Sequence, residues 1–488
     1  MRLTDLADGT LDALRSAGAY LSDLTTPSIR LGVTGLARAG KTVFITALIR
    51  NLTTGGRLPF FDAYAEGRIQ RAYLQPQPDD AVPRFDYEAH LSALMADPPR
   101  WPESTRHISE LRVTVDYVPA GLIRRTTSSG RLHIDIVDYP GEWLLDLALL
   151  DQSYEDWSRE AIALASEPAR GSVSTEWLQH LASLDPGAPQ DEQVALEAAR
   201  IFTAFLAAAR AAEPALSTLG PGRFLLPGDL AGSPLLTFVP LHMPAGWTPP
   251  RNSLAAMMAR RFESYKAHVV KPFFRDHFSR LDRQIVLIDA LAALNAGGEA
   301  VADLSRALEA SLRAFRPGAR TWLASILPRR IDRVLFAASK ADHLPSTSHD
   351  RLEGVLRLMT EKAAQRAQFA GATAGVIALA AVRATREVEA RQNGERLACI
   401  RGTPMPGEQV GSRRFDGRTE VALFPGDLPE NPREALAHAG RDRDRFVRFR
   451  PPPLGPAASA TEPHIWTQAW PHVRLDRALQ FLIGDRLE

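Results

Sequence analysis

The 488-residue sequence contains one cysteine, Cys399. An intrachain disulfide is therefore excluded, and so is a cysteine-rich zinc site. That usage suits a reducing cytoplasm. Charge of one sign is missing as well: 58 Lys and Arg stand against 57 Asp and Glu, a formal net charge of +1. This excludes a globally basic nucleic-acid coat and an acidic tail protein. No run of about 18 apolar residues occurs, so no membrane span is expected. The first 28 residues carry Asp5, Asp8, Asp12 and Asp23 and lack a basic start before an apolar run, which speaks against a signal peptide. The spacing of Leu3, Leu6, Leu11, Leu14 and Leu21 predicts a packed N-terminal helix instead. Lysine is scarce too. Of the 58 basic residues only five are lysine: Lys41, Lys266, Lys271, Lys340 and Lys362. Coding bias explains the preference for arginine. A lysine that survives in such a chain marks a position where a compact ammonium is needed rather than a guanidinium fork.

What remains is ordinary globular material, 45% hydrophobic and 24% charged, long enough for about three domains. Leu31 to Thr34 is a short apolar run ending in glycine, and Val43 to Leu52 has helical spacing. Residues 53–107 are rich in turn formers. Leu111 to Tyr117 and Leu132 to Val137 alternate and are joined by a turn, which predicts an antiparallel pair. Residues 143–215 read as several helices, and helix is expected again at about 252–280 and 300–325. Ile285 to Ile288, Val334 to Ala338 and Val376 to Ala381 read as buried strands. Strands alternating with helices predict an α/β fold with a mostly parallel sheet and one antiparallel strand. Val410 to Phe424 and Arg445 to Phe449 read as short strands, and Leu475, Ala478, Leu479 and Leu482 as a final helix. The expected divisions are an N-terminal helix (1–28), a split core (29–142 and 282–400), a mainly helical insertion (143–281) and a small β-rich C-terminal region with a terminal helix (401–488).

Three motifs carry chemistry. Gly35-Leu36-Ala37-Arg38-Ala39-Gly40-Lys41-Thr42 has the phosphate-loop pattern, Gly, four residues, Gly-Lys-Ser/Thr. Gly35 and Gly40 let backbone N–H groups turn inward around phosphate oxygens, and the following helix aims its positive end at the same anion. The expected phosphate set is Gly35, Ala37, Arg38, Ala39, Gly40, Lys41, Thr42 and Val43. Lys41 reaches the β- and γ-phosphates, and Thr42 supplies a hydroxyl to Mg²⁺. Arg38 either reaches over the phosphates or faces solvent. The second motif, Asp138-Tyr139-Pro140-Gly141, ends a strand. Asp138 there binds Mg²⁺ through water, and the Gly141 N–H meets the γ-phosphate. Glu142, next in line, either orients the attacking water or is a surface charge. A further switch is expected before residue 108, where Thr105, or else Ser104, offers a hydroxyl to Mg²⁺.

The third motif, Ser339-Lys340-Ala341-Asp342, follows a buried strand. In this place a carboxylate accepts two hydrogen bonds from the guanine N1–H and 2-amino group, donors that adenine lacks, while the lysine stem packs on the base. Small residues after the next strand, Ala381 and Val382, let a backbone N–H meet guanine O6. The expected cofactors are GTP or GDP with Mg²⁺, and the expected activity is GTP hydrolysis. The rival readings are an ATPase or kinase, and a nucleotide-gated scaffold with little hydrolysis. Asp289, at the end of another strand, reads as a helix cap. The Arg441 to Arg450 stretch reads as a salt-bridged edge strand rather than a nucleic-acid contact.

With these motifs in order, the chain resembles the YcjX-like family of bacterial P-loop GTPases. The likeness lies in Val33 to Thr42, Asp138 to Trp143, Arg283 to Asp289 and Ser339 to Asp342. It extends to Arg414-Phe415-Asp416-Gly417 and the terminal stretch from Leu475-Asp476 to Gly484-Asp485. The resemblance implies a Ras-like P-loop core with inserted helices and slow GTP hydrolysis. It also implies a link to bacterial stress responses and a protein partner, a membrane protein encoded nearby being one candidate. The implied location is cytoplasmic, or peripheral at the inner membrane through that partner.

Overall fold

Seven strands form the central sheet: β1 (Ser28–Gly35), β2 (Ile69–Gln75), β3 (Ser109–Tyr117), β4 (Arg131–Asp138), β5 (Arg283–Ile288), β6 (Arg333–Ala338) and β7 (Thr373–Ala378). The structure is a computed structural model. It describes residues 26–36, 38–103, 107–121, 130–212, 216–311, 331–392, 395–440, 446–454 and 469–488. The strand order is β2-β3-β4-β1-β5-β6-β7. β1 runs parallel to β4 and β5, and β5, β6 and β7 run parallel to one another. Only β3 is antiparallel to its neighbours β2 and β4. This is the mostly parallel α/β sheet with one reversed strand that the alternation predicts, and the expected β3–β4 pairing is present.

The continuous apolar runs have a simple cause. Successive strand residues point to opposite faces, and both faces are covered. Ile285 and Leu287 of β5 face one core with Leu335 and Ala337 of β6; Val286, Ile288, Val334 and Phe336 face the other. The first core is closed by the helix Lys41–Thr53, through Phe44, Ile45, Leu48 and Ile49, and by the terminal helix Leu475–Ile483, through Leu475, Leu479 and Leu482. The second is continuous with the helices between β4 and β5. There Trp157 stacks on Phe262 with centroids 5.1 Å apart, and Phe202 and Phe238 pack around them.

Four features differ from the sequence reading. Phe446 to Phe449, read as part of a strand, carries only an isolated bridge from Phe449 to Pro404. β2 lies in the turn-rich stretch 53–107. It is an edge strand with a register shift between Ile69 and Arg71, and its residues Gln70, Arg71 and Gln75 hide the alternation. The helical stretch at 252–280 is interrupted: Leu254–Tyr265 passes through a π-turn at Lys266–Val270 into Lys271–Asp276. A small antiparallel sheet of Arg386–Gln392, Glu395–Gly402 and Val421–Leu423 lies beyond β7. Its first two strands are rich in charge and show no clear apolar period. The expected N-terminal helix falls almost wholly on residues 1–25, outside the described residues. Arg441 to Arg445 also fall outside them.

Candidate nucleotide site

β1 delivers the chain to Gly35 and the helix begins at Lys41, so five residues must reverse it. Arg38 and Gly40 take left-handed backbone conformations, φ 63° and 84°. Space is open around Gly40, so glycine is required there by its dihedral angle rather than by crowding. At Gly35 the constraint is steric, since a Cβ would stand 3.1 Å from both Ala39 Cβ and the Leu287 carbonyl. The helix start carries no side-chain cap, which leaves its first N–H groups to an anion. Lys41 Nζ forms an ion pair with Asp138 Oδ1, both side chains being largely buried. The Thr42 hydroxyl is buried and donates over 3.4 Å to the Glu103 carbonyl. The segment approaching Thr42 is thus the one that continues into Ser104 and Thr105. Those two residues, like Ala37, lie outside the described residues.

The Asp138 strand end turns at Pro140-Gly141. A Cβ on Gly141 would stand 2.3 Å from the Gly35 carbonyl oxygen, so this turn rests directly on the phosphate loop. Glu142 is not a solvated surface charge. It is 6% exposed and ion-paired with Arg210, at 2.6 Å, near the end of the helix Glu192–Ala211. Trp143 lies under the Arg223 guanidinium, 3.3 Å from the ring centroid. Asp146 is buried; its two oxygens accept from the Gly222 N–H and the Tyr265 hydroxyl, each at 2.6 Å. Burial pushes its carboxyl up to about 6, against the opposing pull of those two hydrogen bonds.

Across the cavity, β6 ends in Ser339-Lys340-Ala341-Asp342. The Ser339 hydroxyl donates to the Ile288 carbonyl at 3.2 Å, bracing this loop against β5. Lys340, at φ 60°, pairs with Asp289, which also caps the helix Ala290–Ala296 through the Ala292 N–H. Asp342 is buried and accepts from the Ala384 N–H at 2.7 Å, which leaves carboxylate lone pairs for a ligand. The Ala380 and Arg383 amides donate to Val473 and Pro471. The Ala381 and Val382 amides between them have no acceptor among the described residues.

Gly35, Arg38, Ala39, Gly40, Lys41, Thr42, Val43, Glu142, Ser339, Lys340, Asp342, Ala381 and Val382 all line one cavity of about 400 Å³. Arg38 is exposed on its rim. Asp138 joins through its ion pair with Lys41, and Gly141 through its contact with Gly35. The sequence reading missed Arg210, Trp101, His343 and the Met405, Pro406, Arg448, Phe449 group, all of which line the same cavity. His343 is buried with its ring 5.1 Å from Phe449, and burial lowers its pKa. Trp101 donates from its indole to the Phe449 carbonyl at 2.8 Å. None of these sits in a nucleotide motif, although Arg448 and Phe449 belong to the stretch read as an edge strand. For Arg210 the only signal was an arginine in the last turn of an apolar helix.

The hard-oxygen set of one hydroxyl, Thr42, and one carboxylate, Asp138, beside the phosphate loop suits Mg²⁺, which keeps waters and shares phosphate oxygens. Among the described residues no group of three or more His, Cys, Asp or Glu forms a cage for an ion held by protein alone. Likewise no described helix is long and apolar enough to cross a membrane.

Comparison with known proteins places these features in a wider set. Residues 29–487 match the YcjX-like family, DUF463. A protein of Escherichia coli named Ras-like GTPase YcjX is 38% identical over 469 residues, covering 94% of this chain and 96% of that protein. A Shewanella oneidensis protein of the same name is 35% identical over 491 residues, covering 94% and 95%.

Proposed function

The chain belongs to the YcjX-like family, and from that premise we propose that it binds a guanine nucleotide, hydrolyses GTP with Mg²⁺ and reports its nucleotide state through the segment after Gly141. The observation that carries this reading is convergence: phosphate-loop, strand-end and base-side residues, far apart in sequence, line or adjoin one cavity. In it Lys41 exchanges Asp138 for the β- and γ-phosphates. Thr42 and Asp138 would hold Mg²⁺, with Thr105 the further hydroxyl expected there, and the ion would neutralise phosphate charge; the rest is positioning by the chain's own groups. The Gly141 N–H meets the γ-phosphate, and Ser339, Lys340, Asp342, Ala381 and Val382 hold the base.

The test is base exchange. Asp342→Asn replaces an acceptor by an amide that also donates. Guanine nucleotide should then bind at least about 100-fold more weakly, and xanthine nucleotide, with a carbonyl in place of the 2-amino group, should gain. Equal binding of ATP and GTP, unchanged by Asp342→Asn, would sink the guanine assignment and favour the ATPase reading. One observation favours a second reading, a nucleotide-gated scaffold with little hydrolysis: the Glu142 carboxylate is occupied by Arg210. Wild-type protein that binds GTP and releases no phosphate in a single turnover would establish it. The engagement of a protein partner in a bacterial stress response, with a membrane protein as one candidate, is carried by family membership. A pull-down comparing GTP-analogue and GDP forms tests that.

A further inference from the structure

Lys41, Arg38 and Lys340 come to the cavity from the nucleotide motifs, and Arg448, paired with Glu408, from the C-terminal region; Arg210 reaches in from the helix Glu192–Ala211 and is paired with the residue that follows Gly141. Its partner Glu142 is almost completely covered and follows the residue that rests on the phosphate loop. The insertion also clamps this segment elsewhere. Gly222 packs so closely that a Cβ would stand 2.3 Å from the Glu142 carbonyl, and Arg223 covers Trp143. Arg210 is therefore held at fixed register to the turn that approaches the phosphates.

The electrostatics give the pair a meaning. A carboxylate facing a triphosphate would repel it unless neutralised. The γ-phosphoryl group offers the guanidinium three oxygens that carry more charge than one carboxylate does, and they flatten towards a plane in the transition state. Resting on the nucleotide reading above, the geometry points to Arg210 as the arginine that the insertion supplies to the phosphoryl group, with Glu142 as its counterion until that group arrives. In the reaction, water oxygen bonds to the γ-phosphorus and the bond to the β–γ bridging oxygen breaks. GDP and inorganic phosphate leave, and the water proton ends on phosphate or solvent. Arg210 stabilises the charge that spreads over the equatorial oxygens, and its departure frees Glu142 to orient the water. Arg38, exposed on the rim, has no carboxylate within ion-pairing distance among the described residues to hold it ready.

The experiment uses the full chain with fluorescent GDP and a non-hydrolysable GTP analogue for affinity, single-turnover GTP hydrolysis for rate, and GDP with aluminium fluoride as the transition-state probe. Arg210→Ala should keep GDP affinity within about threefold, lose at least about 100-fold in single-turnover rate, fail to retain aluminium fluoride and regain part of its rate with added guanidinium. Since Arg210→Ala strands a buried carboxylate, the uncharged double variant Arg210→Gln/Glu142→Gln is measured beside it with melting temperatures; it should fold and be equally slow. Arg38→Ala is measured in the same way as the competing arginine of the phosphate loop. Normal turnover in a folded Arg210→Ala or double variant would overturn the assignment, as would loss of aluminium fluoride only in Arg38→Ala. A wild type that binds nucleotide without turnover would overturn it while leaving the binding reading intact. A wild type that binds no guanine nucleotide would overturn both.

Discussion

At the scale of single residues, the site is built from carboxylates with different neighbours. Asp138 and Asp289 each hold a lysine, Asp342 a backbone amide, and Glu142 an arginine. Asp146 has no cation within ion-pairing distance among the described residues; it faces an amide and a phenol in a buried setting that pushes its carboxyl from 3.8 up to about 6. A carboxyl raised on folding favours the folded state most when protonated. Its contribution is present below about pH 4 and is lost as pH rises through about 6, a change on the order of 2–3 kcal/mol. Asp146→Asn keeps an acceptor for Gly222 N–H and an amide facing Tyr265, and it cannot titrate. Urea unfolding across pH 4 to 7 should therefore show a shallower decline in the variant than in the wild type. Parallel pH profiles for the two proteins would show that Asp146 is not the titrating group.

At the scale of elements, legibility followed locality. The strand, turn and helix around Lys41 occupy adjacent residues, so glycine spacing and apolar period disclosed them together. The lysine scarcity helped: Lys41 and Lys340 both stand at the cavity, paired with strand-end aspartates. β2 stayed hidden because an edge strand with one covered face tolerates Gln70 and Arg71, and the Arg210–Glu142 pair because no local pattern links the end of one helix to the start of another. The same distant packing makes Gly222 a sensitive position. Its Cα abuts the Glu142 carbonyl, and its N–H serves Asp146. Gly222→Ala puts a methyl 2.3 Å from that oxygen, a backbone atom, so the two segments must draw apart. The expected cost is about 1–3 kcal/mol in urea unfolding. The affinity ratio between GTP analogue and GDP should also move towards one while GDP affinity holds. Wild-type stability and an unchanged ratio would mean that the insertion does not read this turn.

At the scale of the whole molecule, the helix Leu475–Ile483 returns to the core that β1 opens. The spacing of Leu475, Ala478, Leu479 and Leu482 disclosed the terminal helix but not its destination, against β6 in the core that the helix Lys41–Thr53 also closes. Polar ties hold it there. Buried Arg283 of β5 donates to the Leu482 carbonyl at 3.1 Å and binds Asp485 at 2.8 Å, and Asp476 accepts from the Phe60 N–H. The residues leading into the helix matter as much, because Pro471 and Val473 hold the Arg383 and Ala380 amides on either side of the proposed base-facing pair. Core and base pocket should therefore fail together. Leu479 is 1% exposed, and Leu479→Ala should cost about 2–5 kcal/mol. Phe369→Ala, at a side chain 87% exposed, should cost under about 0.5 kcal/mol. Both are read from urea unfolding. Hydrogen exchange on Leu479→Ala should rise at residues 379–383 along with the terminal helix, and guanine nucleotide affinity should fall although the substitution lies outside the cavity lining. If Leu479→Ala is destabilised while exchange at 379–383 and nucleotide affinity stay as in the wild type, the C-terminal segment stabilises the sheet without supporting the base loop.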